Sequence, residues 1–310
     1  MLIGSAAIVA AALAAVTVFV SSRGTDEVEV VPDDAAIATY PLGPRPASVA
    51  VGAGGVWATD AEGGKVLRFD TGATEVRDRI DVGSEPLALA VDGDRVWVVA
   101  HGDGRLVAVE KGKREPVASV ELGGDLARVA TGDGAVWVTD TSGEALVRVD
   151  PKAAEVTDVI DLGGFPVGIA VGEDAAWVTL AEADAVVRID LETLSVTDTI
   201  EVATIPTRIA VGEGAVWVTT EGGPRVSRID PETMEVVTRI RVEGVPTDIA
   251  VGGGGVWVTH GSTDRVSRLD PDSGEVLDEF VVGADPVGVS VGGGAAWVAD
   301  RDGRSLTRIG

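Results

Sequence analysis

Two histidines, His101 and His260, and no cysteine occur in the 310 residues, so imidazole chemistry has two seats and thiol chemistry none. A disulfide framework, a thiolate metal site and a Cys nucleophile are thereby excluded. His260 stands 40 residues before Asp300, and Asp60 holds the same place one unit further on if the chain closes on itself. An imidazole beside two carboxylates has the residue types to orient a base or to hold a hard cation. A second group is Arg45, Arg128, Arg208 and Asp248. In a chain with 25 Lys+Arg against 50 Asp+Glu, net −25, isolated arginines stand out as anchors for a carboxylate or a phosphate. Arg45, Asp60, Arg128, Arg208, Asp248, His260 and Asp300 are therefore the candidate ligand-binding residues; no catalytic or metal-ligating residue is assigned. No Ser-His-Asp triad, kinase loop, Walker motif or zinc site is present. The acidic balance also argues against nucleic acid as a partner, because polyphosphate repels such a surface.

The elements that must position these residues are written in a repeat. The seven tryptophans, Trp57, Trp97, Trp137, Trp177, Trp217, Trp257 and Trp297, recur at intervals of 40 residues, and residues 31–310 make seven such units. One unit, 206–245, reads PTRIAVGEGAVWVTTEGGPRVSRIDPETMEVVTRIRVEGV. It holds four strand signals, Thr207–Val211, Ala215–Thr220, Arg225–Asp230 and Glu235–Val242. Gly-rich or Asp-Pro turns separate them. Four short strands per 40 residues, with no room for a helix between them, are the pattern of propeller blades. The expected fold is all-β, a seven-bladed propeller of four-stranded antiparallel blades over residues 35–310.

The chain ends support closure. The last unit stops at Gly310 after its third strand, Ser305–Ile309. Ile37–Gly43 aligns with Thr157–Gly163, a fourth strand. The N-terminal strand is expected to complete the last blade and remove the exposed edges of an open array. Ahead of it, Leu2–Val20 is a 19-residue run without a charge, long enough as a helix to span a bilayer. Residues 1–22 are read as a transmembrane anchor or signal segment and 23–34 as an acidic linker. The propeller is expected outside the cytoplasm, membrane-anchored, or secreted if the segment is cleaved.

Seven copies of one unit separate what a blade requires from what varies. The Trp column reads as core packing. The Arg column (Arg68, Arg148, Arg188, Arg228, Arg268, Arg308) reads as surface or inter-blade pairs, and the Asp column (Asp70, Asp150, Asp190, Asp230, Asp270) as a turn. The glycines serve hairpins, since a nucleotide loop needs a helix behind it. Variation clusters at 45–48 and 60–63 and their equivalents, two loops expected to open on one face around the central channel. Position 48 reads Ser48, Ala88, Arg128, Gly168, Arg208, Asp248, Gly288; position 60 reads Asp60, Ala100, Asp140, Leu180, Thr220, His260, Asp300.

The segment VWVTDTSGEALVRVDPKAAEVTDVIDLG, 136–163, resembles the YVTN-type repeat of YncE-like seven-bladed propellers, with Trp in place of Tyr. The pattern P-x-x-[IV]-A-V-G-x-G-x-[VA]-W-V-T is similar to repeats of the streptogramin B (virginiamycin B) lyase group. The resemblance covers residues 31–310. It implies a propeller family that includes surface, periplasmic and binding proteins as well as lyases. For the lyases it implies a C–O lyase using Mg²⁺ and a histidine base, with His and Glu on the top face. The expected function is a non-catalytic binding, sensor or scaffold propeller with no cofactor. Its partner is a protein, glycan or polar small molecule at the channel face, and it is a monomer tethered through the N-terminal helix. The lyase, with Mg²⁺, is the alternative.

Overall fold

Strands carrying Trp alternate apolar side chains that are covered on both faces, so these strands must lie inside blades with neighbours on either side. The computed structural model describes residues 37–72 and 75–310. The expected anchor Leu2–Val20 and linker 23–34 lie outside the described residues, among which no helix is long and apolar enough to cross a membrane. The described residues form seven four-stranded antiparallel sheets, arranged as the propeller expected from the repeat. Blade 5 is typical, with an innermost strand Pro206–Gly212, a Trp strand Ala215–Thr220, then Arg225–Asp230 and the outer Glu235–Arg241. The ring closes as expected. Ile37–Pro41 pairs antiparallel with Ser305–Ile309, Ile37 opposite Ile309 and Pro41 opposite Ser305.

Packing between blades repeats with the sequence. Six tryptophans are 0–1% exposed and the seventh, Trp257, is 8% exposed. At about 25 cal/mol per Å² and ~200 Å² each, a buried Trp contributes roughly 5 kcal/mol. The indole N–H of Trp57, Trp137, Trp177, Trp217 and Trp257 donates to the carbonyl five residues earlier, at 3.1–3.2 Å. Each glycine that supplies this carbonyl sits against a valine of the next blade. A Cβ on Gly132, Gly172 or Gly212 would lie 2.5–2.8 Å from Val171, Val211 or Val251, and one on Gly292 would meet Val51 across the closure.

The Arg column makes the expected surface pairs in three blades, Arg68, Arg148 and Arg268 with Asp78, Asp158 and Asp278 of the outer strand, within a blade rather than between blades. Each of these arginines lies opposite the Trp of its own blade and covers its ring, with guanidinium carbon to centroid distances of 5.6–6.0 Å. The Asp column does make the turn between the third and outer strands: Asp150 Oδ1 accepts N–H bonds from Lys152 at 2.7 Å and Ala153 at 2.9 Å.

Candidate functional site

The innermost strands line the axis of the ring, and each carries an irregularity where it meets the Trp strand. In blade 3 the register shifts between Leu126 and Val129, and in blade 5 between Pro206 and Arg208. Bulges of this kind re-aim a side chain, and here the re-aimed column is position 48. The freed backbone N–H is taken by a threonine at the end of the Trp strand. Thr59 Oγ1 accepts from Ser48 N–H at 2.9 Å, Thr139 from Arg128 at 3.0 Å, Thr179 from Gly168 at 2.7 Å and Thr219 from Arg208 at 3.2 Å. Thr139 Oγ1 also donates to Val167 O of blade 4 at 3.0 Å. These fully buried threonines escaped the sequence reading. Their signal was a polar residue in an otherwise apolar V-W-V-T strand.

The result is a channel cavity of about 150 Å³ lined by Ser48, Ala88, Arg128, Gly168, Arg208 and Asp248 together with aliphatic neighbours. At about 30 Å³ per water that is room for a few waters or one small oxyanion. Arg208 Nε lies 3.7 Å from Asp248 Oδ1, and both side chains keep only a narrow exposure to the lumen, 20% and 24%. Asp248 Oδ2 accepts the Val289 N–H at 2.9 Å, tying blade 6 to blade 7. Burial pushes the Asp248 carboxyl above the usual carboxylate range, against the pull of Arg208, the Val289 N–H and Arg128. Burial also lowers Arg208, with Asp248 and Glu221 opposing it. Arg128 has a backbone partner, Ala127 O at 2.9 Å, and, among the described residues, no carboxylate within ion-pair distance. Burial and then repulsion from Arg208 bring its guanidinium down to about 9, which leaves it charged at pH 7. The lumen is lined by two guanidiniums, Arg128 and Arg208, against one carboxylate, Asp248, with Glu221 outside the lining drawing on both cations, in a chain of net −25.

The other candidates lie elsewhere. Arg45 is at the mouth face, 4.0 Å from Glu85, and borders a cleft with Glu62, Asp81 and Ser84. Asp60, His260 and Asp300 are the last residues of their Trp strands, inside the blade rather than in the loop that follows, and are 5%, 0% and 0% exposed. Asp60 Oδ1 accepts N–H bonds from Gly63 at 3.0 Å and Arg45 at 3.3 Å, so it ties the loop to the start of the innermost strand. His260 Nε2 bonds Ser267 Oγ at 2.8 Å, and burial lowers its imidazole to about 4. Asp300 Oδ2 accepts from Thr307 Oγ1 at 2.6 Å and Ser305 Oγ at 2.9 Å, and burial raises it to about 6. The expected open arc of His260, Asp300 and Asp60 is thus three separate buried groups, two of them paired with a residue seven positions later. His101 lies in a short 3₁₀ turn, His101–Asp103, half-exposed, with Nδ1 3.0 Å from Leu126 O and 3.3 Å from Asp125 Oδ1.

A family model described as the virginiamycin B lyase family matches residues 35–309. The chain belongs to the virginiamycin B lyase family. A search among curated proteins finds no match. Among solved structures, a streptogramin B lyase is 20% identical with a TM-score of 0.78, over 89% of this chain and 97% of that one. The Kuenenia stuttgartiensis hydrazine synthase is 16% identical with a TM-score of 0.76, over 92% and 98%. A β-propeller domain from Myceliophteria thermophila is 11% identical with a TM-score of 0.76, over 89% and 99%. At such identities these likenesses carry the fold alone.

The Mg²⁺ that the family resemblance implies does not fit the donors among the described residues. Among the described residues no three His, Cys, Asp or Glu side chains converge as a cation would need. His260 is enclosed beside Ser267, and the channel presents guanidinium groups where a cation would need oxygens.

Proposed function

We propose that this family member is a binding propeller that seats a small carboxylate or phosphate group in the channel, anchored by Arg128 and Arg208, with Asp248 holding Arg208 in place as its counter-ion. The observation that carries the reading is Arg128, on blade 3: it lines the channel with the Arg208–Asp248 pair, and among the described residues no carboxylate lies within ion-pair distance of it. A guanidinium in a confined lumen gains most from a charged acceptor that brings two oxygens. Membrane tethering through Leu2–Val20, with the propeller outside the cytoplasm, is part of this proposal and rests on the 19-residue uncharged run. The test is calorimetric titration of the full chain with inorganic phosphate, acetate and succinate. At least one should bind, and Arg128→Gln and Arg208→Gln should each weaken it tenfold or more. Absence of binding by all three, or binding indifferent to both changes, removes the reading.

A second reading, a lyase, is favoured by family membership and by His101. Its Nδ1 is held by Leu126 O, a bond that leaves Nε2 as the free, basic nitrogen. An elimination there would pass a carbon-bound proton to Nε2 as the adjacent C–O bond breaks, without consuming water. Incubation with virginiamycin B decides it. Ring opening at unchanged mass, abolished by His101→Gln, supports the lyase; an unaltered substrate rejects it.

A further inference from the structure

The junction where the ring closes is built differently from those between blades 2 and 3, 3 and 4, and 4 and 5. The turn between the third and outer strands of a blade reaches back beneath its predecessor. Ala154 of blade 3 joins the cluster around Trp97, Leu191 and Leu194 of blade 4 join that around Trp137, and Met234 of blade 5 joins that around Trp177. Arg95 of blade 2 donates to Pro151 O in the same turn of blade 3. In blade 7 the third strand, Ser305–Ile309, and the outer strand, Ile37–Pro41, come from opposite ends of the chain, and no hairpin joins them among the described residues. Beneath blade 6 there is instead a cleft of about 580 Å³, walled by Trp257, Phe280, Arg268, Val291, Ala296 and Ile309.

The blade 6 side of this cleft differs from its six counterparts in the exposure of its Trp and in the turn before the Trp strand, and from blades 1–5 in an aromatic residue stacked on that Trp. Trp257 is 8% exposed where the other tryptophans are 0–1%. The position of Phe280 is Ile80, Val120, Ile160, Ile200 and Ile240 in blades 1–5 and Tyr40 in blade 7; Phe280 stacks on Trp257 at 5.7 Å and 21°, as Tyr40 does on Trp297. The turn before the Trp strand is all glycine, Gly252–Gly255, where blade 5 has Gly212-Glu213-Gly214-Ala215. Arg268 stands over Trp257 at 5.6 Å and is loosely held. Its Nη1 is 3.6 Å from Asp278, its Nη2 is 3.4 Å from two carbonyls, and its buried Nε, like those of Arg148, Arg188 and Arg228, has no hydrogen-bond partner among the described residues. Arg68, the same column in blade 1, has Asp70 at 2.6 Å and Asp78 at 2.5 Å.

We infer that the seam cleft between blades 6 and 7 is a second binding site, distinct from the channel, for an aromatic or branched apolar molecule bearing one anionic group. The apolar body packs on Trp257, Phe280, Val291 and Ile309, and the anion takes the free guanidinium edge of Arg268. The volume is that of a small-molecule pocket, and an apolar wall with one convergent charged group is the usual composition of such sites. The Arg268–Asp278 contact is long enough for a ligand carboxylate or sulfonate to displace Asp278 or to share the guanidinium with it.

The test uses 8-anilinonaphthalene-1-sulfonate, an aromatic sulfonate, on the full chain. Binding is read by dye fluorescence and by the indole N–H resonances of the seven tryptophans. One saturable site should appear, and the resonance missing from Trp257→Phe should be the one that moves. Gly253→Glu should weaken binding tenfold or more by filling the cleft with a carboxylate. The variant is compatible with folding, since Glu213 holds the equivalent left-handed position at φ 51° against φ 61° for Gly253. Arg268→Gln should weaken the dye about fivefold, and Arg268→Lys should restore part of that loss. Glu213→Gly, which copies the all-glycine turn into blade 5, should leave binding unchanged. No binding, movement of a different indole, or affinity indifferent to both Gly253→Glu and Arg268→Gln overturns the proposal.

Discussion

Arg208 and Asp248 face each other across the boundary between blades 5 and 6, Nε 3.7 Å from Oδ1, at positions 40 residues apart that the repeat makes equivalent. One structural position thus supplies a cation from one blade and its counter-ion from the next. Arg128 contributes a further cation from two blades before Arg208.

Removing the counter-ion should therefore strengthen anion binding. A unit charge about 8 Å away at an effective dielectric of about 20 is worth roughly 2 kcal/mol. Asp248→Asn keeps an acceptor for the Val289 N–H, so phosphate or acetate affinity should rise about tenfold or more in the same titration. An unchanged or lower affinity would separate Asp248 from the anion site.

Thr139 satisfies two buried backbone groups at once, the Arg128 N–H and the Val167 carbonyl. Thr139→Val keeps the shape and orphans both. At about 1–3 kcal/mol per buried unpaired group, the expected loss is roughly 2–4 kcal/mol in chemical denaturation, with Thr139→Ser close to the parent. The valine variant should also bind the channel anion less tightly, because the bulge that aims Arg128 is held by this bond.

His260 and Asp300 should give stability opposite pH slopes over the same interval. The imidazole drops from 6.5 to about 4 on folding, so its contribution is present above 6.5 and is lost as pH falls toward 4. The carboxyl rises from 3.8 to about 6, so its contribution is present below 3.8 and is lost as pH rises toward 6. Each shift corresponds to about 3 kcal/mol, and between pH 4 and 6 the two nearly offset. Asp300→Asn should uncover the histidine slope, stability falling on acidification. His260→Gln should uncover the opposite slope. Unfolding midpoints measured from pH 4 to 7 check both signs, and slopes of one sign in the two variants would contradict the assignment.

The ring closes through one strand, with Tyr40 stacked on Trp297 at 6.1 Å. Deleting residues 1–41 leaves Ser305–Ile309 as an unpaired edge next to that indole. The truncated chain should melt at a lower temperature and self-associate in light scattering. A monomer with an unchanged midpoint would mean that the closing strand is dispensable.

The period of the sequence was enough for the fold. Seven tryptophans at 40-residue spacing, four strand signals per unit, and a final unit lacking its outer strand leave few arrangements besides a closed seven-bladed ring, because local turn chemistry and edge pairing are read from neighbouring residues. The channel members Arg128, Arg208 and Asp248 were legible for the same reason: they are departures within one aligned column. Depth and partnership were not legible. Asp60, His260 and Asp300 vary between copies just as a ligand loop would, but they end a strand whose side chains point between sheets. Their variation is matched inside the blade, by the Gly63 N–H, Ser267 and Thr307. Whether a polar residue faces a lumen or a neighbouring sheet depends on bulges, blade-to-blade packing and the place where the chain closes. Those are set by contacts between blades, which lie far from the local alternation that a sequence displays.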